Sequence, residues 1–251
     1  MDSTIAEERL AAALKEVARL EKELQRARQR AQNGKEELDA FVYAASHDLK
    51  QPLRAINSYS QLLTRHCGRD ETASEYAAFI VDGVRTAAAL IEQLLNFSRA
   101  GSSTKRSVVN LAACVATATY KLNREITETR AQVTCGPLPE VSVNQTDFER
   151  VFENLIDNAI KYRGPEPPTI RISAEEDEDG HVISVANNTP SVDPKFYTEI
   201  FKPFKRLHGN EIPGSGLGLA VCRKIVEAHE GTMWVESGGE SGLVFKFSLP
   251  Y

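Results

Sequence analysis

Apolar residues recur every seven positions through most of the first hundred residues, and that repeat restricts this part of the chain to paired helices. With Leu10, Val17, Leu24, Ala31, Leu38 and Ala45 at d, the a positions are Leu14, Glu21, Arg28, Lys35, Val42, Leu49, Ile56 and Leu63. One long helical stretch is therefore predicted over 5–67. Charged residues at a (Glu21, Arg28, Lys35), together with Gly34, weaken its first part. Residues 1–35 read as a loose coiled-coil signalling helix, and 38–63 as a firm one. Cys67-Gly68-Arg69-Asp70 breaks the helix. A second helix follows, with Ala77, Val84, Ile91 and Ser98 in register and Ile80, Val81, Ala87, Ala88, Leu94 and Leu95 between them. Two such helices with a short connection form an antiparallel hairpin, assigned to 36–100. Each has one wide apolar face, so two copies would close a dimeric four-helix bundle.

Gly101-Ser102-Ser103-Thr104-Lys105-Arg106-Ser107 is small and polar and reads as a domain linker. Beyond it, over 108–251, the pattern becomes mixed. Helices are predicted at about 111–129, 145–162 and 216–229. Strands are predicted at 132–135, 169–174, 181–186, 232–236 and 243–249. The acidic turn 175–180 ends in Asp179-Gly180, a hairpin signal. Residues 187–214 form a long irregular loop of the kind that serves as a lid. The fold class is α+β multidomain: coiled coil and helical hairpin, then an α/β sandwich.

Composition narrows the function. The chain has 251 residues and a net charge of −5, which argues against a nucleic-acid partner. No apolar run is long enough for a membrane span, and MDSTIAEERL lacks the order of a signal peptide. Cys67, Cys114, Cys135 and Cys222 are scattered, as expected of reduced thiols in a cytoplasmic protein rather than of a zinc site.

Three clusters could carry chemistry. In Ser46-His47-Asp48-Leu49-Lys50-Gln51-Pro52-Leu53, His47 falls at f, away from the bundle core. A neutral imidazole there can act as nucleophile, with Asp48 orienting it and taking its proton. Pro52 removes the helical bond to the Asp48 carbonyl and loosens the helix beyond the histidine. In Asn154-Leu155-Ile156-Asp157-Asn158-Ala159-Ile160-Lys161-Tyr162, residues Asn154, Asn158 and Lys161 share one helix face. An amide oxygen there can complete a magnesium shell, and Lys161 can meet a phosphate. In Gly214-Ser215-Gly216-Leu217-Gly218-Leu219, glycines precede a helix start, which suits close approach of an anion.

In this order the clusters resemble those of a sensor histidine kinase of two-component systems. Ser46–Leu53 resembles the H box, Asn154–Tyr162 the N box, Phe201–Phe204 the F box and Gly214–Leu219 the second glycine box. FVYAASHDLKQPLR and FENLIDNAIKYR are most similar to kinases that follow phytochrome or PAS sensor domains. The resemblance covers residues 37–249. It implies a dimerisation and phosphotransfer hairpin over 36–100 and an ATP-binding sandwich of the gyrase/heat-shock-ninety/histidine-kinase type. It implies that ATP with Mg2+ phosphorylates His47, and that the phosphoryl group then passes to an aspartate on a response-regulator receiver domain. Asn158 matches the family's magnesium ligand and Asn154 its neighbour facing the phosphates. Lys161 matches the phosphate-contacting lysine and Tyr162 the aromatic beside the nucleotide. Gly214, Gly216, Leu217 and Gly218 match the phosphate loop, and Arg206 is a candidate γ-phosphate contact. The implied partners are a second copy of the chain, a receiver domain and an upstream PAS/phytochrome-like sensor.

The first glycine box departs from the family. Where it reads Asp-Asn-Gly-x-Gly, this chain has Asn187-Asn188-Thr189-Pro190-Ser191. Asn187 replaces the aspartate that accepts a bond from the adenine amino group, so its amide oxygen would accept that bond without charge assistance. Gln51 stands where phosphatase-active members carry Thr or Asn. The leading reading is an autophosphorylating kinase. The alternative is a non-catalytic phosphotransfer or pseudokinase protein of the same fold with a decayed nucleotide site. A plain ATPase lacking a phosphohistidine comes third.

Overall fold

The structure is a computed structural model that describes residues 42, 46, 49–50, 53–63, 65, 71–103, 105–207, 215–238 and 242–251. The coiled coil expected over 1–35, and His47, Asp48, Gln51, Pro52 and Gly214, lie outside the described residues. The chain divides into two compact units, Met1–Val84 and Arg85–Tyr251, and each is described by itself.

In the first unit, residues 53–63 form a helix (α1) and the helix α2 (Glu71–Arg99) begins. Ser46, Ser60, Ala77 and Val84 are buried, whereas Leu49, Ile56, Leu62, Leu63, Tyr76 and Phe79 are exposed. The a-position residues Leu49, Ile56 and Leu63 therefore form an apolar set without cover in a single chain.

The second unit is a two-layer sandwich. Its elements run β1 (Ser107–Asn110), α3 (Leu111–Lys121), α4 (Asn123–Thr129), β2 (Gln132–Cys135), β3 (Glu140–Val143), α5 (Gln145–Lys161), β4 (Thr169–Glu176), β5 (Gly180–Asn187), α6 (Gly218–Ala228), β6 (Met233–Ser237) and β7 (Leu243–Pro250). A five-stranded sheet has the order β2-β4-β5-β7-β6; β2 and β4 are parallel, the other neighbours antiparallel. The short antiparallel pair β1–β3 stands apart. Alternation decides which sheet face is covered: Leu243, Phe245, Phe247 and Leu249 of β7 point inward, as do Ile170 and Ile172 of β4. Phe148, Phe152, Leu155 and Ile156 of α5 and Ile225 of α6 complete the core, with Phe148 and Phe152 each stacked at an angle on Phe247.

The strand predicted at 132–135 and the helices near 145–162 and 216–229 are present, with ends shifted by two residues or fewer. The single helix predicted over 111–129 is instead two, divided at Leu122, whose backbone leaves helical geometry while its side chain stays buried. Strands β1 and β3 were not predicted; they pair with each other across thirty residues, and no hairpin turn joins them. The irregular loop holds two short 3₁₀ turns, Pro194–Phe196 and Glu199–Phe201; Asp193 caps the first by accepting from the Lys195 N–H at 3.0 Å.

The polar stretch 101–107 is tied down within the second unit. Asn144 donates from Nδ2 to Ser103 Oγ and to the Lys105 carbonyl, and Arg106 donates to the Ala228 carbonyl at 2.8 Å. Just before it, the Lys224 ammonium donates to the carbonyls of Phe97 (3.0 Å) and Ser98 (2.6 Å) at the end of α2. It also lies 5.0 Å from the centre of the Phe97 ring.

Candidate functional site

Helix α5 carries Arg150, Asn154, Asn158 and Lys161 at spacings of four, four and three, so one polar stripe runs along it. The opposite stripe, Phe148, Phe152, Leu155 and Ala159, is buried against the sheet and fixes the rotation of the helix. The polar stripe lines a cavity of about 320 Å³. Asn154, Asn158, Lys161, Tyr162, Asn187, Arg206, Gly216, Leu217 and Gly218 all contribute to its wall. Nine residues singled out from the sequence are thus brought together from three separate segments.

At one end of the cavity, α6 starts at Gly218 without a side-chain cap. Its first N–H groups therefore present the positive end of the helix dipole there. Asn154 joins α5 to this end: its Nδ2 is 3.4 Å from the Gly218 carbonyl. Beneath lies Cys222, whose Sγ is 3.7 Å from the Val151 carbonyl; burial pushes its thiol up to about 12 and leaves it inert. Lys161 is ion-paired with Asp157 one turn earlier. Gly216 has φ +72, a conformation that favours glycine, and a Cβ there would lie 2.9 Å from the Lys205 carbonyl oxygen. The Gly216 carbonyl accepts from the Phe204 N–H at 3.0 Å, so the F-box segment braces this loop. Phe201 anchors that segment by packing edge-on against Phe245.

At the other end, β5 finishes at Asn187 opposite Leu243 of β7, which puts Asn187, Leu243 and Phe245 on the cavity wall together. Asn187 and Thr189 are buried. The Asn187 Oδ1 accepts from the Thr189 N–H at 3.1 Å and from the Thr189 hydroxyl at 2.6 Å. The oxygen that the sequence offers to an adenine amino group is thus engaged within the chain. Asn188 turns away: it bonds the Thr169 N–H and the Pro167 carbonyl.

Sequence reasoning missed several wall residues. Arg150 continues the α5 stripe by one turn, and the four-residue spacing was signal enough to find it. Gln93 and Asn96, from the end of α2, also reach the wall, and Arg150 donates to the Asn96 carbonyl at 3.3 Å. No local pattern announces them, because a long-range packing contact puts them there. Among the described residues, no group of three or more His, Cys, Asp or Glu side chains is arranged to hold a metal. No helix among them is long and apolar enough to cross a membrane.

A helical segment followed by a mixed sheet with a nucleotide-sized cavity between helix α5 and a glycine-rich helix start defines an ATPase fold of the histidine-kinase class. The family "Histidine kinase-, DNA gyrase B-, and HSP90-like ATPase" matches residues 143–251, and the "His Kinase A (phospho-acceptor) domain" matches 37–103. The chain belongs to the two-component sensor histidine kinases. It is 40% identical to cyanobacterial phytochrome A of Nostoc sp. over 85% of its own length and 28% of that protein's. It is 37% identical to the phytochrome-like protein Cph1 of Synechocystis sp. over 85% of its length and 29% of that relative's. The chain thus spans under a third of the length of these relatives. Among solved structures, the catalytic domain of histidine kinase ThkA is 28% identical with a TM-score of 0.51, covering 59% of this chain and 97% of that one. Full-length ShkA in complex with AMPPNP shares the fold at 21% identity and a TM-score of 0.65, over 83% of this chain and 45% of that one.

Proposed function

We propose that this chain is the transmitter core of a two-component sensor: an ATP-dependent kinase that phosphorylates its own His47. Residues 36–100 act as the dimerisation and phosphotransfer hairpin and 108–251 as the ATP-binding domain. The observation that carries the reading is the cavity in which Asn154, Asn158, Lys161, Gly216 and Gly218 meet. The nucleotide lies there with its phosphates toward the α6 start and its base toward Asn187, with Tyr162 beside it. Lys161 exchanges Asp157 for a phosphate; a partly exposed ion pair of this kind is worth roughly 1 kcal/mol or less and gives way to a higher charge. Arg206 meets the γ-phosphate.

The cavity wall can hold magnesium through an amide oxygen. Asn158 would supply it, with phosphate and water completing the shell. Bound magnesium would neutralise charge that builds between the β- and γ-phosphates. A ring nitrogen of His47 attacks the γ-phosphorus, its bond to the bridging oxygen breaks, and ADP leaves. The imidazole proton passes to Asp48. The phosphoryl group then moves to a carboxylate of a receiver domain docked on the hairpin, where Arg54, Ser58 and Gln61 are exposed. The exposed apolar a positions Leu49, Ile56 and Leu63 are covered by a second copy, and a PAS/phytochrome-like sensor acts upstream in the cytoplasm.

Incubation with γ-labelled ATP and magnesium, beside a His47→Ala variant, tests the kinase. Acid-labile, base-stable label in the parent and none in the variant is the expected result. A folded dimer that takes no label, with or without magnesium, would shift the assignment to the non-catalytic phosphotransfer alternative.

A further inference from the structure

The polar stripe of α5 does not end at Asn154. Arg150 lies one turn nearer the start of the helix and lines the same cavity. Its guanidinium carries five N–H donors in a rigid fork. Among the described residues it makes one hydrogen bond, a long one of 3.3 Å from Nη1 to the Asn96 carbonyl, and no ion pair. That carbonyl already accepts from the Ala100 N–H at 3.1 Å, so the helical bond of α2 stands without Arg150. Lys161 and Lys205 on the same wall are paired, with Asp157 and Glu199. The acid next to Asn154, Glu153, lies 3.5 Å from Lys121. Arg150 is thus a half-buried permanent charge on the cavity wall, held by one weak contact. Taking a charge partly out of water is costly, and an anion that meets it offsets the cost.

We infer that Arg150 is a further substrate-contacting residue that meets the terminal phosphate and so distinguishes a nucleoside triphosphate from the diphosphate. This inference rests on reading the cavity as a nucleotide site, with the base toward Asn187 and Tyr162. From there the polar groups of α5 run in order: Lys161 and Asn158, then Asn154 beside the start of α6, then Arg150. At a rise of about 1.5 Å per residue, Arg150 stands about 12 Å along the helix from Asn158 and about 6 Å from Asn154. A phosphate chain that passes Asn158 and the α6 start therefore reaches Arg150 last, with its outermost group. The guanidinium suits that group, because two parallel N–H donors can hold two oxygens of one phosphate. A diphosphate lacks the group that extends this far. The exchange costs little: Arg150 gives up a second bond on the Asn96 carbonyl, and that carbonyl keeps the Ala100 N–H. Arg150 from α5 and Arg206 from the loop after the F box then share the terminal phosphate.

The test measures ATP and ADP affinities side by side, each with magnesium, by displacement of a fluorescent nucleotide from the full chain. A His47→Ala background keeps ATP from being consumed. Arg150→Gln is expected to weaken ATP by about tenfold or more and ADP by less than about twofold, so the preference for the triphosphate falls. Arg150→Lys keeps the charge but not the fork, and its loss should lie between the two. ADP affinity in the same samples reports whether the cavity is intact, a readout that a purely structural arginine would move together with ATP. Equal weakening of both nucleotides, or no weakening of either, would overturn the inference and leave Arg150 as a brace for α2, with the kinase assignment standing. Failure of both nucleotides to bind the Arg150-bearing parent at millimolar concentration would instead remove the nucleotide site itself, and the proposed function with it.

Discussion

The two ends of the cavity are built by different means. At the α6 end, the polar groups stand on regular helices: Asn154, Asn158 and Lys161 on one stripe of α5, Gly218 at the first turn of α6. Their spacing follows from the helical repeat, and their rotation from the apolar stripe buried behind them. Their bonds within the chain are weak or exchangeable: a 3.4 Å contact from Asn154 and a partly exposed Lys161–Asp157 pair. At the β5 end, Asn187 stands where a strand gives way to a loop, and its bonds to Thr189 are short and buried. A ligand can displace the first kind of contact readily, whereas it must accommodate the second. Helical periodicity therefore fixes the phosphate end in advance, and local hydrogen bonding decides what the base end accepts.

The largest effect expected from this contrast is at Asn158. Replacing it with alanine removes the amide oxygen proposed for magnesium while the buried stripe of α5 stays intact. Autophosphorylation should fall by about 10²-fold or more, with thermal stability nearly unchanged. A variant that labels at the parent rate would show that the α5 stripe is not the phosphate end. Gly216→Ala comes next. Its φ of +72 and the 2.9 Å approach of the Lys205 carbonyl oxygen leave no room for a methyl group. The loop must shift, at a cost of about 1–3 kcal/mol, and nucleotide affinity should drop by roughly tenfold or more. Unchanged affinity by calorimetry would mean that the loop does not touch the phosphates.

Helix α6 also links the cavity to α2. Lys224 donates to the Phe97 and Ser98 carbonyls in the last turn of α2, where its positive charge also meets the negative end of the helix dipole. Lys224→Ala should destabilise the second unit by about 1.5 kcal/mol in denaturant unfolding and speed hydrogen exchange near residues 97–101. Because Gln93 and Asn96 line the cavity, nucleotide binding should weaken slightly as well. Loss of stability without any change in binding would separate the α2 anchor from the site.

Much of this arrangement was legible in the sequence. The α5 stripe was readable because Asn, Asn and Lys at helical spacing sit beside four apolar residues, a pattern that leaves one rotation open. The β4–β5 hairpin was readable because period-two alternation flanks an Asp-Gly turn. The substitution at Asn187 was visible, but its consequence was not. Which lone pairs are occupied depends on Thr189 folding back over two residues, and no composition or periodicity encodes that. The division of 111–129 at Leu122 was equally hidden: the stretch lacks glycine and proline, and burial of Leu122 sets the bend. The packing of 101–107 depends on Asn144 and on Ala228, distant in the chain.

The smallest expected effect separates the two glycines that the sequence treats alike. A Cβ on Gly218 would meet Asn154 Oδ1 at 3.5 Å, an ordinary contact, and its φ is not positive. Gly218→Ala should therefore stabilise the helix start by about 0.4–1 kcal/mol, by narrowing the freedom of the unfolded chain. What it does to nucleotide affinity then measures how closely phosphate approaches the backbone of α6. Weaker binding in a more stable protein would mean that the missing side chain serves the ligand, as Gly216 serves the fold. Unchanged binding would locate the close approach at Leu219 or Ala220 instead, and would leave Gly216 as the one glycine of the pair that the loop requires.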